Sequence, residues 1–421
     1  MRILFLSDLW DPERGSLVRQ IHARAQALRS RGHTTRLFST RSDGGPADEI
    51  VHEGLEVVRV PSRVPPRWRA LVGLWNPPVL RALRDELVRF RPEVVHAELV
   101  HSQISYRALP LAAASGARVV FSAHDAMTFC YQKMTCFHGG EAAGGRGEDW
   151  RARWSKCAPC QGLRFLPGRN AAIRRALRAA ERITAVSEAL AARLRDHGLR
   201  CEEVIPNACL PPPAAPSPAR LRAARERWNL GSSRVVLFAG RVQEQKGILA
   251  LLRAFALLAR EHADLALLVA GPRDAWAAHA QPLARELGLE SRLRVAGWLA
   301  EPELEEAYAL SRVLCVPSTC FETFGLVHLE AMARGVPAIG TIYGGVPETI
   351  GDGGAVVNPF DREALRRALE ELLFDDALHA RARAAALARA RTHFDAERVL
   401  ERWLEVYGAR EGVERSDDPR D

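Results

Sequence analysis

Two carboxylates, Glu322 and Glu330, lie on either side of the predicted start of one helix. The apolar run 313–316 predicts a buried strand, and the segment after it predicts a helix that starts near Phe324 and ends before Gly335. Because the first N–H groups of a helix have no partner within that helix, such an end can bind phosphate. The pair therefore suits a ligand that has a sugar at one carboxylate, a ribose at the other and a diphosphate between them.

An alternative interpretation is that these are ordinary acids beside a helix, since the helix dipole favours acids in the first turn. Further segments favour the ligand. Arg241 follows a predicted strand and Lys246 opens the next helix, so both cations lie at the carboxyl end of a strand, where α/β proteins bind phosphates. A basic loop with solvated charges would explain these two residues taken alone. Backbone groups at 295–298 could meet a base, and the glycine turn at 343–348 could lie near the sugar.

In chain order these segments resemble the G-R…K-G, G-W, E-x7-E and G-G-x-x-E blocks of the family 4 retaining glycosyltransferases. The family's F-G-L-x-x-x-E-A-M-A-x-G-x-P pattern is present from Phe324 to Pro337, and the resemblance covers residues 235–360. It implies the GT-B fold, in which two Rossmann-like, doubly wound α/β domains hold the nucleotide-sugar cleft between them.

The resemblance also implies a role for each matching residue of the second domain. Arg241 and Lys246 would neutralise the pyrophosphate, Glu322 would contact the donor sugar, and Glu330 would bind the ribose hydroxyls. Backbone N–H groups would come from Phe324, Gly325 and Leu326. Because two cations and a helix end can stabilise the charge of a leaving group, we expect no catalytic metal.

The first domain offers fewer matches. Gly15 resembles the small-residue loop at which donor phosphate and acceptor approach, although many relatives have two glycines and here Arg14 precedes it. His124, followed by Asp125, matches the family's H-D position, which implies that the histidine reaches the reaction centre. A loop histidine with a structural hydrogen bond is the alternative. Residues 206–209 depart from the family's pattern at that point, so no role is transferred to them.

Four cysteines follow His124 in a loop-rich segment: Cys130, Cys136, Cys157 and Cys160. Four thiolates could bind one structural zinc ion tetrahedrally, but the C-x5-C spacing of the first pair is not the usual C-x2-C. Reduced thiols or a disulfide are the alternatives, and His138 would be a substitute ligand.

Short apolar runs alternate with helical patterns along the chain, which predicts doubly wound α/β layers. The expected division is an acceptor-side domain over 1–208 with a Cys-rich insertion at about 126–165, a Pro-rich linker and helix over 209–232, and a nucleotide-sugar domain over 233–392. A last helix at about 395–408 should pack back on the first domain, and the charged tail 409–421 should be disordered.

The composition is that of a globular protein, with 47% hydrophobic and 26% charged residues among 421. There is no apolar run of 18 residues, and the N-terminus is charged too early for a signal peptide, so we expect a cytoplasmic protein. The net charge of +8 suits phosphates or anionic lipids, and no nucleic-acid reader module is recognisable, so we expect no nucleic-acid partner.

Residues 59–92 contain eight arginines against two acids, with Trp68, Leu71 and Trp75 among them. This segment could dock on an anionic membrane at its inner face, or it could form a solvated basic surface around an acceptor cleft.

The expected function is retaining transfer of a sugar from a UDP- or GDP-linked donor to a hydroxyl of a glycan, lipid-linked or small-molecule acceptor. A nucleotide-sugar epimerase or hydrolase of the same fold is one alternative, and a non-catalytic nucleotide-sugar-binding protein is another. A Rossmann dehydrogenase is disfavoured because the first turn lacks G-x-G-x-x-G.

Overall fold

The computed structural model of the protein describes residues 1–11, 15–132, 134, 136 and 149–408, and places them in two α/β units. Arg14, much of the predicted Cys-rich insertion with His138, and the tail 409–421 lie outside the described residues. Each unit is built on one sheet that is wholly or mainly parallel, so the predicted α/β class is confirmed.

The sheet of the first unit has eight strands. They are β1 (Arg2–Leu9), β2 (Thr34–Arg41), β3 (Asp48–His52), β4 (Leu55–Pro61), β5 (Val94–Leu99), β6 (Arg118–Ala123), β7 (Arg182–Ala185) and β8 (Glu203–Val204). Their order across the sheet is β3-β4-β2-β1-β5-β6-β7-β8, and only β3 runs antiparallel to its neighbour. Inner strands are continuous apolar runs, such as the fully buried Ile3–Leu6, because helices cover both faces of the sheet.

The helices of the first unit follow this order in the chain: α1 (Ser16–Ser30), α2 (Arg69–Val72), α3 (Pro77–Phe90), α4 (Ala108–Ala114), α5 (Trp154–Gln161), α6 (Arg169–Leu177) and α7 (Glu188–Asp196). Helix α7 begins directly after β7, with Ser187 as its N-cap, because the Ser187 side chain accepts a hydrogen bond from the backbone N–H of Leu190. Its N-terminus faces the second unit.

The second unit begins with a helix and is built on a six-stranded parallel sheet of order β11-β10-β9-β12-β13-β14. The strands are β9 (Arg234–Ala239), β10 (Leu265–Ala270), β11 (Leu293–Gly297), β12 (Val313–Cys315), β13 (Ala338–Thr341) and β14 (Gly354–Val357). The helices are α8 (Pro218–Arg227), α9 (Ile248–Glu261), α10 (Arg273–His279), α11 (Gln281–Glu286), α12 (Glu301–Leu310), α13 (Leu326–Ala333), α14 (Val346–Ile350), α15 (Arg362–Phe374) and α16 (Asp376–Thr392).

The chain then returns to the first unit through α17 (Ala396–Tyr407). This helix packs beside α1 on one face of the first sheet, where Leu400 and Trp403 are buried in the same apolar cluster as Ile3 and Phe5. The first unit therefore depends on a segment that lies almost 200 residues after its last strand.

The strand predicted at 313–316, the helix predicted from near Phe324 and the last predicted helix lie within a few residues of their observed positions. The structure also contains edge strands β3 and β14 and eight helices that had no predicted counterpart, namely α2, α4, α5, α7, α10, α11, α14 and α16. The residues that α16 buries are all alanines, so its apolar face is weak in the sequence. Helix α8 packs on α12 through an ion pair between Arg220 and Glu306, and thus joins the predicted linker segment to the second unit.

Candidate active site

A cavity of ≈ 690 Å³ lies between the two units. Its walls include His124 and Asp125, which follow β6 in the first unit, and Arg241, Glu322 and Thr323 of the second unit. These residues follow the carboxyl ends of parallel strands, which is where open α/β sheets bind their ligands.

Glu322 is held in place by the backbone around it. Residue 322 forms an isolated parallel bridge with Gly344, and the N–H of Gly345 donates to the carbonyl of Glu322 at 2.8 Å. A Cβ at Gly344 would lie 2.1 Å from that carbonyl oxygen, so only glycine allows this approach. The glycine turn after β13 thus fixes the position of the glutamate.

The carboxylate of Glu322 is paired with Lys246. The ammonium of Lys246 donates to Oε2 of Glu322, which also accepts a hydrogen bond from Ser318 Oγ at 3.1 Å. Lys246 reaches this position because Gly247, at φ +78°, turns the chain tightly against Pro317 before α9 begins. The fold thus brings together two residues that are 76 positions apart in the sequence.

Helix α13 presents an uncapped N-terminus beside Glu322. Its N-cap is Gly325 at φ +91°, and no side chain caps the helix. The side chain of Phe324 is buried against Phe394, so this residue can offer a ligand only its backbone. Observed helix begins at Leu326, two residues later than predicted.

Glu330, one turn along α13, contacts the first unit. Its Oε1 accepts a hydrogen bond from Arg19 Nη2 of α1 at 2.7 Å, and its Oε2 accepts one from the Tyr308 hydroxyl at 3.3 Å. Burial, followed by the charge of Glu330, raises the pKa of Tyr308 well above its usual value, so the hydroxyl remains a donor. A second cavity, of ≈ 60 Å³, lies here and is lined by both Arg19 and Glu330.

Arg241 follows β9 and is exposed at the wall of the larger cavity. Among the residues that the structure describes, no carboxylate lies within ion-pair distance of it. Gly15 is the N-cap of α1 and its N–H donates to the carbonyl of Asp11 at 3.0 Å. Gly15 lines neither cavity, although its neighbour Ser16 lines the smaller one.

His124 is oriented by a buried network that the sequence analysis missed. Its Nε2 lies 2.5 Å from Oε2 of Glu98, a fully buried residue whose Oε1 accepts from Arg24 Nη1 at 2.5 Å. Burial alone would raise the pKa of Glu98, but Arg24, His96 and His124 together hold it below its usual range. Glu98 is the penultimate residue of the buried strand β5, and a charged residue in a predicted buried strand was the signal that could have indicated this network.

Direct contacts join the two units beside the cavity. Thr323 Oγ1 donates to the carbonyl of His124 at 2.6 Å, and Ser187 Oγ donates to the carbonyl of Thr323 at 2.7 Å. The carboxylate of Glu348 accepts the backbone N–H groups of residues 188 and 189, both at 2.7 Å, and so binds the N-terminus of α7. These contacts place His124 and Glu322 on one cavity.

No disulfide joins the four clustered cysteines or any other cysteine of the described residues. Cys157 and Cys160 share one side of α5, and the pKa of Cys157 is raised to about 11, first by burial and then by the thiols of Cys130, Cys136 and Cys160. All four residues are described, and no three of their sulfur atoms come within 4.8 Å of one another.

Other possible metal ligands lie away from the cleft. In the described part of the chain, two groups have three ligand atoms within 4.8 Å of one another; they are His22, His52 and Glu53, and Glu261, His262 and Glu370. Neither group lines the larger cavity.

The basic segment 59–92 forms part of the cavity rim. Arg67 and Arg69 line the cavity, while Trp68, Leu71 and Trp75 of the same segment are exposed. Across the described residues, every helix is too short or too polar to cross a lipid bilayer.

Two Rossmann-like units with a polar cleft at the carboxyl ends of both sheets define the GT-B class of proteins. The structure of Anabaena HepE in complex with UDP and glucose has the same fold, with a TM-score of 0.71 over 97% of this chain and 100% of that one, at 19% identity. The predicted GT-B fold is therefore confirmed.

Two models of known protein families match this chain. The model for Glycosyltransferase Family 4 matches residues 17–209, and that for Glycosyl transferases group 1 matches residues 222–389. This chain belongs to the family 4, group 1 glycosyltransferases, as its motifs predicted.

Curated relatives match part of the chain. A GDP-mannose-dependent α-(1-6)-phosphatidylinositol monomannoside mannosyltransferase of Mycolicibacterium smegmatis is 33% identical over 45% of this chain and 49% of its own. A D-inositol 3-phosphate glycosyltransferase of Corynebacterium aurimucosum is 38% identical over 36% of this chain and 38% of its own. The chain thus matches half or less of the length of these relatives.

Proposed function

We propose that this protein is a retaining glycosyltransferase that moves a sugar from a nucleotide diphosphate sugar to an acceptor hydroxyl. One observation carries the proposal: Glu322, which is paired with Lys246, lines the same cavity as His124 of the other unit, and the uncapped start of α13 follows Glu322 closely in the chain. A cation, a helix N-terminus and a carboxylate together suit a sugar diphosphate.

The residues of the second unit would bind the donor. Arg241 and Lys246 would neutralise the diphosphate, and the N–H groups of residues 324–326 would donate to its oxygens. Glu322 would hydrogen-bond the sugar, and Glu330 would bind the ribose once it shares or releases Arg19. Gly15, beside the smaller cavity, would let the phosphates approach the first unit.

In the reaction, the acceptor oxygen would bond to the anomeric carbon on the face from which the nucleotide leaves. The bond from that carbon to the diphosphate oxygen would break, and the departing phosphate oxygen would take the proton of the acceptor hydroxyl. Lys246, Arg241 and the start of α13 would stabilise the charge on the leaving diphosphate, so we propose that no catalytic metal is required. His124, fixed by Glu98, would position the sugar.

The donor would be linked to UDP or GDP, and the acceptor would be a glycan, a lipid-linked molecule or a small molecule. The name of the mannosyltransferase relative includes GDP-mannose, whereas the structurally similar Anabaena protein binds UDP. The proposal therefore includes both uridine and guanosine diphosphate donors.

The test is donor turnover by the purified protein, with UDP- and GDP-sugars offered singly beside a mixed acceptor panel. We expect nucleoside diphosphate release that requires an acceptor and falls about 100-fold or more in Lys246→Ala and Glu322→Ala. Glu226→Ala, which changes an exposed acid on α8, should retain full activity. Acceptor-independent turnover would indicate an epimerase or hydrolase, and tight binding without any turnover would indicate a binding protein.

We further propose a cytoplasmic location in which the segment 59–92 contacts the anionic inner face of a membrane. The exposed Trp68, Leu71 and Trp75 beside several arginines support this proposal. Cosedimentation with phosphatidylserine vesicles, lost in Trp68→Ser/Trp75→Ser, is expected. Equal binding to neutral vesicles would contradict it.

For the four clustered cysteines we propose one structural zinc ion.

A further inference from the structure

Four arginines of the first unit line the larger cavity. They are Arg67, Arg69, Arg164 and Arg169. Two come from the segment around α2 and two from the segment around α6, so separate parts of the fold converge on this wall. Arg241 of the second unit lines the same cavity.

The cavity holds little negative charge to balance them. Among the residues that the structure describes, its lining includes only two carboxylates, Asp125 and Glu322, and Glu322 is already paired with Lys246. Asp125 accepts the backbone N–H of Met127 at 2.8 Å and lies 3.6 Å from Nε2 of His101. Within the described residues, no carboxylate lies within 4.0 Å of the four arginines.

Two of these arginines, one buried and one half-buried, have no countercharge among the described residues. Arg169 is only 3% exposed, and it donates to Asn170 at 2.9 Å and to the carbonyl of Met127 at 2.5 Å while its guanidinium covers the ring of Tyr131. Arg69 donates to the sulfur of Met127, and its buried Nε has no hydrogen-bond partner in the described structure.

Three half-buried arginines elsewhere in this protein are paired with buried carboxylates. Arg24 is paired with Glu98, Arg36 with Glu86, and Arg334 with Glu305. Burying an unpaired charge is costly, and a buried donor without an acceptor adds to that cost. The arginines of the cavity lack such carboxylate partners, and they share one wall.

We infer that this wall binds a phosphate group carried by the acceptor. The inference rests on the proposed function, since it assigns the second anion of a cleft whose donor diphosphate would lie at Arg241 and Lys246. A guanidinium group can donate two parallel hydrogen bonds to two oxygens of one phosphate, and the planar shape of the arginine head group is pre-organised for such contacts. A cavity of ≈ 690 Å³ has room for a sugar and a second phosphate together.

The phosphate could belong to a soluble sugar phosphate or to a lipid-linked phosphate. Both present the same anion to the arginines. The exposed Trp68 and Leu71, next to Arg67 and Arg69, would contact lipid only in the second case.

The test is binding of inorganic pyrophosphate, measured by calorimetry with the donor site filled by saturating UDP or GDP. Wild-type protein should bind pyrophosphate. The single variant Arg69→Gln and the double variant Arg67→Gln/Arg164→Gln, which changes two exposed arginines, should each bind it at least about tenfold more weakly. Arg222→Gln, which changes an exposed arginine of α8, is the matched control and should bind as wild type does. The double variant guards against misfolding of a variant at the half-buried Arg69.

Failure of this inference is distinct from failure of the proposed function. If neither UDP nor GDP binds with dependence on Lys246, the proposed function fails. If a nucleotide binds but pyrophosphate does not, or binds equally to all variants, the acceptor inference is overturned. Displacement of pyrophosphate by mixed sugar phosphates, or by phosphatidylcholine vesicles that carry a polyprenyl phosphate, supports the inference and identifies the source; displacement by neither overturns it.

Discussion

Acidic side chains at the cleft are matched to cations. Glu322 pairs with Lys246, Glu330 with Arg19, and Glu98 with Arg24. Each pair joins segments distant in the chain, and two of them lie where a sugar or ribose would exchange for the cation. These carboxylates are therefore balanced by cations, whereas Arg241 and the arginine wall have no carboxylate partner among the described residues, and there we place the ligand anions.

Glu98 should control both the orientation of His124 and acid stability. Because its folded pKa is depressed below the reference 4.5, Glu98 contributes stability above about pH 4.5 that is lost as the pH falls toward its folded value. Glu98→Gln removes the charge and leaves Arg24 buried without its partner, so we expect a loss of about 3–5 kcal/mol at neutral pH. Denaturant unfolding across pH 3–7 should show a flatter acid limb in the variant.

Nitrogen NMR of His124 distinguishes the effect of Glu98→Gln on the orientation of His124 from its effect on stability. The hydrogen bond to Glu98 keeps a proton on Nε2 of His124, and Glu98→Gln should loosen that preference and give a mixed tautomer population. Glu290→Gln, at an exposed glutamate, is the control. Unchanged tautomer and unchanged turnover in Glu98→Gln would show that the network does not position His124.

Single residues with motif spacing were the part that sequence could predict best. Glu322 and Lys246 meet in the cleft, as their place after strand ends indicated, although their roles stay predictions. The contacts of Arg19 with Glu330 and of Glu98 with His124 could not be predicted, because they depend on how the two units and neighbouring strands meet.

At the scale of elements, predictions held wherever periodicity and end signals agreed. Strand β12 and helix α13 were predicted from an apolar run, Gly325 and the Gly335–Pro337 stop. Edge strand β3 alternates exposed and half-buried residues without a strong apolar pattern, and α14 has only five residues. Short or edge elements depend on tertiary contacts that sequence patterns do not contain.

The α5 segment should bind zinc together with the segment after β6. The N–H of Gln132 donates to the Cys130 sulfur at 3.3 Å, and the Gln132 side chain lies 3.9 Å from the sulfur of Cys160, so the two segments are adjacent. Zinc–sulfur bonds of about 2.3 Å require side-chain rotations that draw the four sulfurs together. We expect about one zinc per chain by mass spectrometry of the metal, lost in Cys157→Ser/Cys160→Ser.

Cys201→Ser is the matched control, since Cys201 is half-buried and lies outside the cluster. Cobalt substitution should give the thiolate charge-transfer absorption of a tetrahedral sulfur site. Four freely titrating thiols in protein purified with added zinc, or a disulfide found by peptide mapping, would contradict the assignment.

The whole molecule is two α/β units joined by the chain crossing at residues 209–217, by α17 and by contacts beside the cleft. Gly345 lies tightly against the first unit, because a Cβ there would lie 2.7 Å from Ser187. Donor residues on one unit and His124 on the other can act together only while these contacts hold. The activity should therefore depend on contacts that touch neither substrate.

Glu348 is the residue whose loss should separate the units most selectively. Its carboxylate accepts two backbone N–H groups at the start of α7, across the cleft, and Glu348→Ala removes both hydrogen bonds together with a favourable helix-dipole interaction. We expect a larger radius of gyration by X-ray scattering and a fall of about tenfold or more in kcat/KM, since charge-assisted hydrogen bonds contribute about 1.5–3 kcal/mol each. Nucleotide affinity should change little, because the proposed donor residues remain on the second unit.

Glu286→Ala, at an exposed glutamate of α11, should leave both the radius of gyration and kcat/KM unchanged. An unchanged radius with unchanged turnover in Glu348→Ala would mean that the remaining contacts of Thr323 and Ser187 suffice to hold the cleft closed.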